Sequence, residues 1–493
     1  MIASNLPALQ VVVPLISAPI CAMLGRGRTA WVLTVAVSWT ALAIAIALLI
    51  RVETGGVIDY EMGGWAAPWG IAYRIDYLNA FVLVIVAGIG AMVAPAALQG
   101  IATEIAPERQ PRFFAAMLLA LTGLLGITIT GDAFNLYVFL EIASLASYAL
   151  VAQGPDRRAL MAAFQYLILG TIGATFILIG VGLLYMMTGT LNMADLAARL
   201  PAVAETRTIY AAFAFIIVGT GLKLALFPLH MWLPNAYAYA PGVVSAFMAA
   251  TGTKVGVYML ARFVYTVFGA PFAFDTMPLG QILMPFALLG IVVGSLVAIF
   301  QDDIKRMLAY SSVAQIGYMA LGISFASETG LIATIVHLFN HALMKGALFL
   351  ALAAVSLRLG KTDLTAMRGL GRRMPLTMAA FVAAGLSLIG VPLTAGFVSK
   401  WYLVKAAIEA GLWPVAVVIL GASLLAMIYV WRVVEVAYFR APAANAPAAV
   451  EAPTTMLIPI LILAGGGIYF GIDTEVTVGI ARAAAMALLG TSP

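Results

Sequence analysis

The sequence predicts an all-α polytopic membrane protein, and three observations carry that prediction. Of its 493 residues, 63% are hydrophobic and only 10% are charged, against roughly 25% charged in ordinary soluble domains. The apolar residues fall in runs of about 20, the length that crosses a bilayer as an α-helix. The few lysines and arginines collect in the short segments between those runs. A water-soluble chain of this composition could not cover its own surface; a bilayer makes it reasonable.

Fourteen spans follow, at about 7–24, 30–50, 77–99, 113–130, 133–152, 162–187, 209–228, 242–268, 281–300, 307–325, 330–357, 376–409, 414–438 and 456–472. The first has no charged region before it and no credible cleavage site, so it reads as a retained helix rather than a signal peptide. The seventh, eleventh and twelfth look irregular. Pro228 ends the seventh beside His230, with Pro234 and Pro241 following, and Pro392 and Gly396 interrupt the twelfth. The Ala/Pro stretch at 441–453 reads as a loop, and no linker divides the chain.

Loop charges set the orientation. One set of alternate loops carries Arg26, Arg28, Arg109, Arg112, Arg157, Arg158, Lys305, Arg306, Arg358, Lys361, Arg368, Arg372, Arg373 and Arg440; the other set and the tail carry Arg51, Arg74, Arg199, Arg207 and Arg482. Fourteen against five makes the first set cytoplasmic. An even number of spans then puts both termini outside a bacterial cytoplasmic membrane.

The same inventory excludes function classes. A net charge of +5 held in short loops does not describe a nucleic-acid binder. Cys21 is the only cysteine, which excludes intrachain disulfides and cysteine-held clusters. There is no Gly-rich phosphate loop in a βαβ context, and three histidines are a poor haem set. No cofactor and no metal are expected, and the chain is read as a transporter subunit rather than an enzyme.

What remains conspicuous is charge inside the spans. A charge in a lipid-facing helix centre costs at least ~2.5–3.5 kcal/mol, so such residues persist where they face protein or a wet cavity. Glu141 is mid-span in GDAFNLYVFLEIASLASYAL, Lys223 lies in GTGLKLALFPLH, and Lys254 is near the middle of VSAFMAATGTKVGVYML. Lys345 lies in HLFNHALMKGALFL and Lys400 in GVPLTAGFVSKWYL. Lysines near span ends more often snorkel, the reading that suits Lys405 and Arg432, while Glu435 reads as the partner of Arg432 three residues before it. Snorkelling is also the bland reading of Lys223, about five residues from its helix end.

His337, His341 and Lys345 recur every four residues and share one helix face, with Asn340 beside them. One polar residue on an apolar helix is commonly glue between helices; three titratable groups on one stripe need another reason. No carboxylate or thiol completes a metal site around the histidine pair. Burial generally lowers a lysine pKa and raises a glutamate pKa, so a row of such groups with histidine between them suits stepwise proton transfer. A sugar or peptide carrier has no need of lysines on so many separate spans.

The seventh and twelfth spans each pair a proline break with a buried lysine. They lie five spans apart, an odd number, so they run in opposite directions, as an inverted repeat produces.

These motifs, with DDIKRMLAYSSVAQIGYM and KLALFPLHMWLPNAYAYAPGVVSAFMAATGTKVGVY, resemble the antiporter-like subunits of respiratory complex I, membrane-bound hydrogenases and Mrp-type cation/proton antiporters, over about residues 70–440. The resemblance implies fourteen helices with two inverted five-helix repeats and broken helices 7 and 12. Within one transmembrane domain, 1–112 would hold helices 1–3, 113–268 the first repeat, 281–438 the second, and 456–493 helix 14 and the tail. It implies a Glu141–Lys223 pair, a central Lys254, an exit Lys400, and a conducting eleventh helix with His337, His341 and Lys345; DDIKRMLAYSS would be a structural turn at the cytoplasmic face. Length, the exit lysine and NLYVFLEI are most similar to the D-type subunit of Mrp antiporters. The function implied is proton translocation in a multi-subunit Na+/H+ antiporter, with other membrane subunits as partners. The alternative is a proton-pumping subunit of a complex I-type oxidoreductase or hydrogenase.

Overall fold

The computed structural model describes residues 3–442 and 450–491. Its α-helices are α1 (Leu6–Met23), α2 (Gly27–Gly55), α3 (Tyr77–Gly100), α4 (Gln110–Ile129), α5 (Ala133–Val151), α6 (Arg158–Thr188), α7 (Met193–Arg199), α8 (Arg207–Leu224), α9 (Leu233–Tyr239), α10 (Gly242–Ala261), α11 (Leu279–Ile299), α12 (Ile304–Ser324), α13 (Glu328–Leu359), α14 (Leu370–Arg373), α15 (Pro375–Ile389), α16 (Ala395–Glu409), α17 (Trp413–Phe439), α18 (Thr454–Ile472) and α19 (Glu475–Leu489). Residues 443–449 of the predicted 441–453 loop, and Pro493, lie outside the described residues.

Among the described residues, twelve helices are long and apolar enough to cross a membrane. Two more crossings escape that measure. One is α12, diluted by Ser311, Ser312, Gln315 and Tyr318. The other is α15 with α16, two short halves of one crossing. Together these are the fourteen expected spans. Local chemistry starts the helices where they start: Asp76 and Asn79 form a capping box on α3, Asp132 caps α5, Asp303 caps α12 and Ser327 caps α13.

The breaks in the seventh and twelfth spans fall earlier than proline positions suggested. The seventh ends at Leu224, four residues before Pro228, and Ala225 turns left-handed at φ 61°. A proline ring clashes with the carbonyl four residues back, which here is Leu224. In the twelfth, Gly390 (φ 88°) closes α15 before Pro392. Gly396 is not part of that break but the second residue of α16, where an added Cβ would collide with the Ser387 carbonyl oxygen. The expected irregularity of the eleventh span is corrected: α13 is one continuous helix of 32 residues, because it contains no proline.

The stretches α4–α10 and α11–α17 pack in the same pattern. In each, the first helix packs on the second, and the broken fourth crossing packs on the third. α13 runs through the centre, touching α3, α10, α12, α15, α16, α18 and α19, and most of its residues are buried. The short helices α7, α9 and α14 fall between the predicted spans, and a hairpin and a tail helix went unpredicted as well. Strands β1 (Ile58–Glu61) and β2 (Ala72–Ile75) form an antiparallel hairpin. In the tail, α19 lays Val478, Ile480, Ala481 and Leu488 against α3 and α13.

Loop contacts sort the helix ends onto two faces. Gly27 meets Gln110, Gly154 meets Tyr239, Gly242 meets Glu104, and Gly369 meets Pro442, while Asp303 bridges Asp363. These join the arginine-rich loops on one face. On the other, Tyr73 bridges Thr130 and Asp132 bridges Asn192.

Candidate functional site

The first cluster lies where α5 meets the end of α8. Lys223, in the last turn of α8, donates to Ser144 Oγ at 2.9 Å and stands 3.8 Å from Glu141 Oε1. The Lys223 side chain is 6% exposed, so it does not snorkel; Glu141 is 25% exposed and faces partly outward from the chain. Trp232, from the segment after the break, donates to the Leu222 carbonyl at 2.8 Å and stacks on Tyr166 with centroids 4.1 Å apart. A cavity of about 40 Å³ adjoins Lys223, lined by Ser144, Tyr166, Trp232 and, from α10, Thr251, Gly252 and Val255. A water needs ~10–15 Å³ of such space. The α10 wall is open at Gly252, where a Cβ would meet nothing within 4 Å.

The centre belongs to α10 and α13. Lys254 is fully buried, and its Nζ donates to the Ala249 carbonyl of its own helix. His341 and Lys345, also fully buried, lie within electrostatic range of Lys254. Lys345 Nζ donates to Leu308 O at 2.7 Å and Ser311 Oγ at 2.5 Å, both on α12. Neither ring nitrogen of His341 has a hydrogen-bond partner among the described residues. Its ring stacks on His337 at 5.8 Å with 13° between planes.

The third cluster joins α12, α13 and α16. His337 Nδ1 is 2.7 Å from Ser399 Oγ and its Nε2 is 2.9 Å from Gln315 Oε1. Asn340 donates to Ala395 O at 2.5 Å, tying α13 to the start of α16. Lys400 reaches back across the break, donating to Leu388 O at 3.1 Å, Ile389 O at 2.8 Å and, on α17, Ser423 Oγ at 3.0 Å. It thereby satisfies carbonyls that the end of α15 leaves free. Its Nζ also stands 5.0 Å from the Tyr318 ring centre.

The structure thus brings Lys254, His341, His337 and Lys400 within electrostatic range of one another in sequence, and the cavity beside the Glu141–Lys223 pair is walled by the α10 residues that flank Lys254. Lys345 is the exception in direction: it lies one turn beyond His341 and away from Lys400, so it branches off this row toward α12. Lys405 is 51% exposed and pairs with Glu409, as a span-end lysine should. Arg432 does more than snorkel. It donates to Ile299 O and Gln301 O and pairs with Asp302 at 3.1 Å, closing the end of α11. The expected Arg432–Glu435 pair is absent among the described residues, because Glu435 pairs with Arg440 at 2.7 Å.

Sequence reasoning missed the second members of these contacts. DDIKRMLAYSS was read as a turn, yet it opens α12, whose Ser311, Gln315 and Tyr318 face Lys345, His337 and Lys400. Their spacing of four and three puts them on one helix face, a signal available in the sequence. Also missed was Arg262, which grips Asp76 with two bonds of 2.7 and 2.9 Å while its Nε donates to Tyr258 at 3.3 Å. Burial works against the Asp76 charge, but Arg262 and the Asn79 amide hold its carboxyl below the usual carboxylate range. On the arginine-rich face Glu104 accepts from the Gly242 amide at 3.1 Å. Burial raises its carboxyl above the usual range, with Lys305 and that amide pulling against the shift.

Comparison with known proteins agrees with this architecture. The family described as "NADH:quinone oxidoreductase/Mrp antiporter, TM" matches residues 130–426. The chain is 46% identical to NADH-quinone oxidoreductase subunit N of Desulforudis audaxviator over 96% of both chains. It is 28% identical to the D-type subunit of a Na(+)/H(+) antiporter of Bacillus subtilis, over 96% of this chain and 94% of that one. Among solved structures, a chain of an archaeal respiratory complex, the membrane-bound sulfane sulfur reductase, superposes with TM-score 0.90 at 32% identity, covering 98% of both chains. The protein belongs to the NADH:quinone oxidoreductase/Mrp antiporter transmembrane family, as one of its antiporter-like membrane subunits.

Proposed function

We propose that this chain is the proton-translocating membrane subunit of a redox-driven complex of the complex I type, and that protons cross it along Glu141, Lys223, Lys254, His341, His337 and Lys400. The observation that carries the path is the row of titratable side chains buried at membrane depth. Each charge there is expensive unless paired or solvated, and these lysines rest mainly on carbonyl and hydroxyl oxygens, which hold an ammonium without fixing it there permanently. The cavity beside Lys223 and the unpartnered nitrogens of His341 are places for water to bridge gaps too long for direct transfer. Lys345, on the α12 side, is a second entry into the same row.

The assignment to a redox complex, in place of the Mrp antiporter that length and the exit lysine suggested, draws support from relatedness. Identity to the oxidoreductase relative is 46% and to the antiporter relative 28%, at equal coverage of this chain. The antiporter remains the second reading because its D-type relative matches across nearly its whole length. Gentle purification with the native partners decides between them. Iron–sulfur or NADH-oxidising subunits, with electron transfer driving proton uptake into inverted vesicles, are expected. A complex with only membrane subunits, exchanging Na+ for protons without a reductant, would overturn the assignment and leave the path standing.

A further inference from the structure

Ser399 sits in the first turn and a half of α16, just past the break, and is buried. Its Oγ has two neighbours: His337 Nδ1 at 2.7 Å and Gly396 O at 3.2 Å. A serine hydroxyl carries one proton and two lone pairs, and an amide oxygen accepts only. Because Gln315 Oε1 faces His337 Nε2, Nε2 keeps its proton whatever the charge on the ring. Any change of protonation on His337 therefore happens at Nδ1, the nitrogen that faces Ser399.

Two complete hydrogen-bond patterns fit these atoms. With neutral His337, Ser399 donates to Nδ1. With His337 as imidazolium, Nδ1 donates to Ser399 Oγ, and the Ser399 proton turns to Gly396 O. One proton is gained or lost at Nδ1, Ser399 keeps its own, and no buried donor is stranded in either state. A back-bond to the carbonyl three residues earlier is common for a helical serine and accounts for the Gly396 contact alone. It does not account for the shorter contact to His337. The Gly396 carbonyl is itself fixed, since the Gly396 amide donates to Ser387 Oγ at 3.1 Å and its Cα has no room for a Cβ.

We propose that Ser399 is a positioning residue for proton transfer, a hydroxyl that reverses its donor direction as His337 loads and unloads. This rests on the reading of His337 as a relay member. The groups facing His337 are Gln315 and Tyr318 from α12, His341 from its own helix, Ser399 and Lys400 from α16, and Lys254 from α10. Ser399 is the hydroxyl bonded to His337, and it has a second acceptor, Gly396 O, to which its proton can turn.

The test uses the intact complex in inverted vesicles, with Ser399→Ala, Ser399→Cys, Ser399→Thr and Lys400→Ala made side by side. Ser399→Ala is expected to assemble and to slow proton translocation about five-fold or more, because a loaded Nδ1–H then lacks its acceptor. The rate–pH profile should move to lower pH for the same reason. Ser399→Thr should restore rate and profile, and Ser399→Cys, a weak donor and acceptor of similar size, should stay slow even if the alanine variant does not assemble. A wild-type rate and profile in Ser399→Ala or Ser399→Cys, with Lys400→Ala inactive, would overturn the role of Ser399 and leave the relay intact. Equal slowing by alanine and threonine with an unmoved pH profile would reduce Ser399 to a packing residue. Wild-type rates in all four, Lys400→Ala included, would remove the relay itself.

Discussion

Lys223 Nζ stands 2.9 Å from Ser144 Oγ but 3.8 Å from Glu141 Oε1. The ammonium is bound by a neutral hydroxyl and only approached by the carboxylate. A surface pair at such a distance contributes little, whereas here Lys223 is buried and the carboxylate is the nearest opposite charge. Glu141 therefore acts on the lysine's charge without locking the two together.

Replacing Glu141 with glutamine keeps shape and removes that charge. Glu141→Gln and Glu141→Ala are expected to lower proton translocation by about ten-fold or more, the factor that ~1.4 kcal/mol represents, at normal assembly. Normal translocation in Glu141→Ala vesicles, at equal subunit content, would show that the carboxylate is only structural.

Lys400 and Lys405 sit five residues apart on α16 in opposite environments. Lys400 is buried on the carbonyls of Leu388 and Ile389; Lys405 is half exposed beside Glu409. Lys400→Ala should block translocation, and Lys405→Ala should leave most of it. The reverse result would put the exit on the wrong lysine.

The breaks, the buried lysines and the histidine stripe were legible because each violates a strong rule: proline in a helix, charge in an apolar run, polar groups at one helical period. What was not legible is what those groups touch. Ser144, Gln315, Ser399 and Ser423 are ordinary residues in a sequence, and only packing makes them partners of Lys223, His337 and Lys400. Arg262 lies inside the eighth span and was passed over among the buried charges; only the packing of α3 brings Asp76 against it. Proline positions placed both breaks a few residues late, because a helix ends where its last carbonyl is blocked rather than at the ring that blocks it. The β-hairpin and α19 lie outside the long apolar runs that the reading followed.

Orientation is the next expectation. The arginine-rich face should be cytoplasmic and the hairpin face outside. A cysteine placed by Arg373→Cys should resist an impermeant thiol reagent in intact cells and react in inverted vesicles. Cys21 is buried against Ala30 and Thr34, so background labelling is low. Labelling of that cysteine in intact cells would reverse the topology.

Lys254 carries the central claim, because it is the one lysine buried between the two outer clusters. If it relays protons, it must release one as well as hold one. Arginine keeps the charge but does not deprotonate in a protein, so it separates holding from releasing. Proton translocation by the assembled complex in inverted vesicles should be lost in Lys254→Ala and fall to a small fraction of wild type in Lys254→Arg across the pH range, with assembly unchanged. A Lys254→Arg complex that pumps at the wild-type rate across that range would show that no proton leaves this residue, and the relay would have to run without it.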